Sequence, residues 1–199
     1  MNMPMRYFEE LYAQSADPWE YRQRWYESRK RDLTLAALPH PRYSSAFEPG
    51  CSIGELSANL ATRCDALLIS DGNDTAIAHA RSRLASEPHV RIEKRLLPDA
   101  WPDEQFDLIV FSELGYYFSP DALTVLASRM QQSLLPGGVL IACHWRHPIE
   151  GCALNGDEVH QHLSRALGMS QLSQHEEQDF LISVWSSDAS SVASREGFL

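Results

Sequence analysis

Residues 46–56 have the sequence AFEPGCSIGEL, and this stretch decides the fold. It opens with the apolar pair Ala46 and Phe47, which is typical of a short buried strand, and Pro49 and Gly50 then interrupt the pattern. Beyond position 55 the apolar residues recur at helical spacing. The stretch therefore predicts a strand, a tight turn and a helix, the geometry in which bare backbone approaches a ligand at a helix N-terminus.

The turn contains an acid and small residues. Glu48 at the strand end is expected to face the ligand crevice, Gly50 permits a positive φ, and Gly54 allows close packing. Dinucleotide enzymes use G-x-G-x-x-G at such a turn, whereas methyltransferases that use S-adenosylmethionine (SAM) resemble E/D-x-G-x-G-x-G. Here the first and last glycines of the second pattern are present, and Ser52 follows Cys51 at the middle glycine position. The turn favours the SAM pattern.

A second acid follows the next predicted strand. Residues 66–70 form an apolar run that ends at Asp71 and Gly72. A carboxylate at this place accepts two hydrogen bonds from the vicinal hydroxyls of a ribose. Asp71 lies 23 positions after Glu48, about the spacing expected for that role. The two acids together predict a cofactor that contains a nucleoside.

Strand and helix patterns alternate through residue 145, and two strands follow. The remaining strands are predicted at residues 89–93, 106–112, 139–145, 169–177 and 179–186. This order predicts an α/β fold, a doubly wound, Rossmann-like, mostly parallel seven-stranded sheet with an antiparallel terminal strand. We expect a single domain over residues 1–186, with its core at 44–186, and a frayed tail at 187–199.

The first part of the chain is unusually aromatic, and residues 5–38 predict a helical lid. One interpretation is that its aromatic side chains dock the helices on the sheet. The other is that Trp19 or Tyr26 covers an adenosine or a substrate ring, with Arg29 reaching a carboxylate. The sequence leaves both interpretations open.

Composition excludes several classes of function. The chain has 199 residues, 44% of them hydrophobic, and a formal net charge of −10 without a basic stripe, which argues against nucleic-acid binding. No apolar run approaches the length of a membrane span, so we expect a cytoplasmic protein that does not bind membranes. The four cysteines lack C-x-x-C spacing, and neither a metal site nor a disulfide framework is expected.

Several strings of residues together resemble the class I SAM methyltransferases and, more narrowly, the nodulation protein S (NodS) family. They are EPGCSIGE at 48–55, Asp71, LPDAWP at 97–102, FDLIV at 106–110, SELGYY at 112–117, DPW at 17–19, and Tyr26-Glu27 with Lys30. The resemblance covers roughly residues 5–186. It implies SAM as the cofactor and methyl transfer to a small-molecule acceptor by a monomer or homodimer. NodS is similar to enzymes that N-methylate the free amine of a deacetylated chitooligosaccharide, so an amine acceptor on a saccharide is expected.

The chain departs from the family after the third predicted strand. Leu96 stands where the family often has an acid that accepts from the adenine amine, although backbone groups of Leu97 remain available. This departure supports an alternative hypothesis, a degenerate SAM-binding or interaction module without catalysis. A nicotinamide dehydrogenase is disfavoured because G-x-G-x-x-G is absent.

The candidate catalytic residues follow the fourth and fifth strands. Ser112 and Glu113 end the fourth strand beside the expected methyl position, and Glu113 is predicted to orient the amine or accept its proton. Tyr116 is predicted to hydrogen-bond or pack near the sulfonium. His144 and His147 are the candidate general bases. The alternative roles are structural: a carboxylate at a helix start, a packed aromatic side chain and solvated loop histidines.

Overall fold

The computed structural model describes residues 3–199 and contains one seven-stranded sheet. Its strands are β1 (Ala46–Pro49), β2 (Leu67–Asp71), β3 (Val90–Lys94), β4 (Phe106–Ser112), β5 (Leu134–Trp145), β6 (Ser170–Glu176) and β7 (Phe180–Ser186). They lie in the order β3-β2-β1-β4-β5-β7-β6. Strands β1 to β5 are parallel, and β7 runs antiparallel to β5 and β6. The predicted fold is confirmed, with the antiparallel last strand one place in from the edge.

The helices are α1 (Met5–Gln14), α2 (Trp25–Ala36), α3 (Glu55–Ala61), α4 (Asp74–Arg83), α5 (Pro120–Ser133), α6 (Gly156–Ala166) and α7 (Val192–Arg195), with a 3-10 turn at Gly115–Tyr117. Side chains that satisfy free backbone donors mark several helix starts. Asn73 accepts from two amides at the start of α4, and Asn155 forms a reciprocal capping box with Glu158 at the start of α6.

The sheet is covered on both faces, and alternate residues of its central strands enter opposite layers of the core. Phe47 and Ile109 pack in one layer, whereas Ala46 and Leu108 pack in the other. The strand order reverses between β1 and β4, which is the point where such sheets bind ligands beyond their carboxyl ends.

The two ends of the chain differ in detail from the sequence expectations. Within the expected helical lid at 5–38, Asp17 accepts from the amides of Tyr21 and Arg22 and closes a turn, so the second helix of this region begins only at Trp25. In the expected frayed tail, residues 192–195 form one helical turn. Within residues 3–199, no helix has both the length and the apolar character of a membrane span.

Candidate active site

The turn after β1 is tight and partly left-handed. Gly50, Ser52 and Gly54 have φ values of 75°, 50° and 83°. The amides of Gly50 and Cys51 both donate to the carbonyl of Ser70, at 2.7 and 2.9 Å. A Cβ atom on Gly50 would lie 2.9 Å from Leu114 Cδ2, closer than real Cβ contacts allow. The backbone of this turn is therefore held against the ends of β2 and β4.

Asp71 connects this turn to the end of β2. Its Oδ2 accepts from the amide of Ser52 at 3.0 Å, and its Oδ1 accepts from the amide of Asn73 at 2.9 Å. Burial raises the pKa of the Asp71 carboxyl, while these backbone donors act in the opposite direction. Each carboxylate oxygen keeps a further lone pair, so the group can still accept from two ligand hydroxyls.

A first cavity of about 660 Å³ lies over the turn and Asp71. Eight of the predicted cofactor-binding residues line it, namely Trp19, Gly50, Ser52, Asp71, Gly72, Leu96, Leu97 and Glu113. The lid adds Met5, Phe8 and Tyr12 to its walls. The cavity is thus enclosed by the sheet edge on one side and by α1 on the other.

A second cavity of about 490 Å³ lies between the turn and α2. Glu48, Cys51 and Ser112 line this cavity and not the first one. Burial raises the pKa of Glu48 to about 8, and its Oε2 has no hydrogen-bond partner in the protein. Burial also raises the pKa of the Cys51 thiol. These groups are therefore placed next to the first cavity, beneath α2.

A third cavity of about 780 Å³ has mostly aromatic walls. They are contributed by Tyr7, Trp19, Tyr21, Tyr26, Tyr116, Tyr117 and Trp145. Its charged lining residues are Arg24, Glu27, Lys30 and Glu113. Glu113 and Tyr21 line all three cavities, so they mark the place where the cavities meet.

Glu113 is the most constrained side chain at this junction. Its backbone is left-handed, with φ of 53°. Its Oε1 accepts from Lys30 Nζ at 2.7 Å, and its Oε2 accepts from the Trp145 amide at 3.0 Å and from the Tyr116 hydroxyl. Three donors thus fix a carboxylate that has about four acceptor positions.

Lys30 connects Glu113 to a second carboxylate. Its Nζ lies 3.1 Å from Glu27, and all three side chains are largely buried. Burial lowers the pKa of Lys30, but Glu113 and Glu27 outweigh that effect and the net direction is upward. Burial raises the pKa of Glu27, and Lys30 opposes that shift. These three largely buried side chains therefore form a cluster in which the Lys30 ammonium lies between the carboxylates of Glu27 and Glu113.

Three of the predicted site residues lie in other surroundings. Arg29 donates two hydrogen bonds to Glu177, at 2.8 and 2.7 Å, and lines none of the three cavities, so it ties α2 to the end of β6. Gly54 also lies outside them, and a Cβ atom at this left-handed position would lie 3.3 Å from Ala80 Cα. Tyr26 lines the third cavity and not the first. Gly54 thus packs closely as expected, Tyr26 lies where the substrate-ring interpretation would place it, and the cofactor roles of these residues stay predictions.

The two candidate histidine bases are also displaced from the cavities. His147 is exposed and its Nε2 lies 2.8 Å from Asp179. His144 is fully buried, where its Nε2 accepts from the Gly115 amide at 2.9 Å. Burial, followed by the charge of Lys30, lowers the pKa of His144 to about 3. Neither ring lines a cavity that Glu113 lines, so the structure does not bring the histidines to the junction, and their role as general bases stays a prediction.

The sequence reasoning missed Lys30 and Tyr12 as site residues. Lys30 lies in a basic segment that also contains Arg29 and Arg31, and only its buried position distinguishes it. Its spacing of three residues from Glu27 was an available signal, because such residues are neighbours on a helix. Tyr12 is the one buried residue of α1, and its spacing from Phe8 is helical.

A model of the family described as nodulation protein S (NodS) matches residues 8–176. The chain belongs to the NodS family. NodS of Rhizobium tropici is 28% identical over 127 residues, which cover 63% of this chain and 53% of that protein. NodS of Sinorhizobium fredii is 27% identical over the same number of residues. The chain therefore spans about half the length of the curated relatives it matches.

Solved structures extend the NodS likeness over most of the chain. A candidate methyltransferase from Pseudomonas syringae is 52% identical, with a TM-score of 0.74, and the match covers 82% of this chain and 99% of that one. The N-methyltransferase NodS from Bradyrhizobium japonicum WM9, in complex with S-adenosylhomocysteine (SAH), is 24% identical with a TM-score of 0.82. That match covers 91% of this chain and 96% of the other, and it shows a shared fold.

Proposed function

We propose that the protein is a SAM-dependent methyltransferase that methylates the amine of a small-molecule acceptor. The observation that carries the proposal is Glu113, a constrained carboxylate at the junction of three cavities. One of these cavities has the features of a nucleoside site, and another has the features of an amine site. Membership in the NodS family supports the same reaction class.

The residues of the first cavity fit SAM. Asp71 keeps free lone pairs toward the cavity and is suited to the ribose hydroxyls. Gly50 leaves the backbone of the turn bare, and a Cβ atom at Gly72 would lie 3.0 Å from Leu96 Cδ2, so both glycines leave room at the cavity wall. Leu96 and Leu97 supply an apolar wall for a base.

The chemistry requires a positioned, neutral amine. When bound, SAM supplies a methyl carbon activated by a sulfonium. Glu113 uses its remaining acceptor position for the N–H of the amine, which becomes more acidic as the new C–N bond forms. Burial raises the pKa of Tyr116, so its hydroxyl stays protonated and holds the carboxylate in place. Positioning of this kind supplies a large part of the acceleration in two-substrate reactions.

The lining of the third cavity supports an amine acceptor. The amine nitrogen becomes positively charged as the C–N bond forms, and aromatic faces, which attract cations, surround the space on seven side chains. The charged lining residues balance in formal charge, with Arg24 and Lys30 against Glu27 and Glu113, so the aromatic walls and the acceptor position of Glu113 carry the preference for an amine. An amino saccharide is therefore the first acceptor to test.

Two measurements test the proposal. Calorimetry with SAH should give saturable binding, and mass spectrometry should detect an added methyl group on an amino saccharide incubated with SAM. Glu113→Gln should slow single-turnover transfer by about a hundredfold, because the amide lacks the charge that accepts the amine proton. Glu177→Gln is the matched control, since it neutralises a carboxylate that pairs with Arg29 away from the cavities, and its rate should equal that of the wild type.

The outcomes separate the candidate functions. No heat of binding at millimolar SAH would refute a SAM-dependent activity. Binding without transfer to any of a panel of amines would favour the alternative, a SAM-binding module without catalysis. Equal rates for Glu113→Gln and Glu177→Gln would remove Glu113 from the mechanism and leave the reaction class intact.

A further inference from the structure

Ser52 combines two features that no backbone requirement explains. It stands at the middle glycine position of the turn pattern, and its φ of 50° lies in the left-handed region that favours glycine. A serine there is strained relative to glycine. Its amide is already used, since it donates to Asp71. The side-chain hydroxyl is therefore the part of Ser52 that a glycine would not supply.

That hydroxyl contacts the lid. Ser52 Oγ lies 2.6 Å from the hydroxyl oxygen of Tyr12, 40 residues earlier in the chain. Tyr12 is the buried residue of α1 and packs with Trp19 at a centroid distance of 5.7 Å. Both Tyr12 and Ser52 line the first cavity. The hydrogen bond thus joins the wall formed by α1 to the floor formed by the turn.

We propose that the Tyr12–Ser52 hydrogen bond is a latch that holds α1 over the first cavity and slows release of the cofactor. Both residues are positioning residues, because they act through the enclosure of the site. The inference rests on the proposed function for the identity of the ligand, while the docking of α1 itself does not depend on it.

Chemistry and packing agree with this role. Burial raises the pKa of Tyr12, so the phenol remains protonated and the pair retains its hydrogens. Phe8 and Tyr12 lie one helical turn apart and both line the first cavity. When α1 moves away from the sheet, the side chains of Phe8 and Tyr12 leave the cavity together, and a bound ligand becomes exposed to water. A single hydrogen bond at the centre of this contact therefore affects how long the cavity stays closed.

Three variants test the latch by two readouts. Tyr12→Phe, Ser52→Ala and Ser52→Gly each remove the bond, and each should release SAH about fivefold faster in stopped-flow displacement, as expected for one hydrogen bond. Each should also speed amide hydrogen exchange in residues 5–14 without any ligand. The double variant Tyr12→Phe with Ser52→Ala should release SAH no faster than the faster single variant, because both changes break the same bond.

The variant Ser52→Gly distinguishes an effect of the Ser52 hydroxyl on SAH release from an effect of this residue on the stability of the fold. Glycine relieves the left-handed strain and so offsets the lost hydrogen bond, and the unfolding midpoint in urea should fall less than in Ser52→Ala, while SAH release accelerates in both. Tyr43→Phe is the matched control, since it removes a buried tyrosine hydroxyl that accepts from His40 outside the cavities; it should leave SAH release and exchange of α1 unchanged.

The possible failures are distinguishable. If the wild type does not bind SAH, the proposed function fails, and exchange in α1 still tests the latch. If the wild type binds SAH but the latch variants match it in both release and exchange, the latch is overturned and the proposed function stands. Additive effects in the double variant would also overturn it, because the two hydroxyls would then act separately.

Discussion

His144 has both ring nitrogens in buried hydrogen bonds, which determines its tautomer. Its Nε2 accepts from the Gly115 amide, so the proton lies on Nδ1, which is 3.1 Å from His160 Nε2. His160 Nδ1 then donates to Ser183 Oγ at 2.8 Å. The chain of bonds ends at the 3-10 turn that carries Tyr116, so the histidine pair supports the turn from below and does not touch the cavity.

We predict that this pair makes the protein acid-sensitive. Burial lowers the pKa of His144 to about 3 and that of His160 well below its ordinary value. As pH falls below about 6.5, the unfolded chain binds protons that the folded chain does not, so stability is lost. Each histidine contributes a slope of up to about 1.4 kcal/mol per pH unit in the free energy of unfolding. His144→Gln should reduce the slope measured by urea unfolding between about pH 6 and pH 4.5.

The pH dependence of the free energy of unfolding can be compared between wild type and His144→Gln even if the variant is less stable, because the slope does not depend on the absolute stability. The amide of Gln can still accept from Gly115, but it does not titrate in this range. Other groups titrate in both proteins and cancel in the difference. Equal slopes in wild type and variant would contradict the assignment of a neutral His144 in the folded state.

Helix α2 places a buried cation next to an exposed one. Lys30 lies 2.7 Å from Glu113 and 3.1 Å from Glu27, and its side chain is 7% exposed. Lys30→Met keeps the length of the side chain but leaves two buried carboxylates without their cation. Removing one partner of a buried ion pair costs about 3 kcal/mol, and we predict a loss of this size in the free energy of unfolding at neutral pH, measured in urea.

Arg29→Met is the control on the same helix. Arg29 and Glu177 are 41% and 30% exposed, so water solvates both groups once the pair is lost. This change should lower the free energy of unfolding far less than Lys30→Met does. Equal losses would show that the charge of Lys30 is solvated in the folded state, against the observed burial.

Some contacts of α2 could be predicted from the sequence, and others could not. The turn at 46–56, Asp71 and the strands were predictable because apolar runs, glycines and acids at strand ends are local patterns. The pairing of Lys30 with Glu113 joins residues 83 positions apart, and the burial of His144 depends on packing against α6. Such contacts follow from how the lid and the sheet dock, which the local pattern does not encode. For that reason Glu113 was predictable, whereas its pairing with Lys30 and the core position of His144 were not.

For the molecule as a whole, we predict that the core at 44–186 folds without helix α1, whereas the affinity for SAH depends on that helix. The fully buried residues of the two apolar layers that cover the sheet lie outside α1, whereas Met5, Phe8 and Tyr12 of α1 form one wall of the first cavity. Removal of residues 1–15 should leave the far-ultraviolet circular dichroism of the sheet and core helices in place. It should weaken SAH binding by about tenfold or more, because a ligand then loses apolar contact worth at least about 1.4 kcal/mol.

Removal of residues 189–199 gives the matched control at the other end of the chain. That segment contains α7, whose Arg195 bonds to Asp188 and lies near His40, and it lines none of the three cavities. Its loss should change the affinity for SAH by less than about twofold, a free-energy difference within 0.4 kcal/mol or so. If the lid deletion binds SAH as tightly as the tail deletion, the first cavity does not need α1 to hold its ligand, and the turn with Asp71 carries the affinity alone.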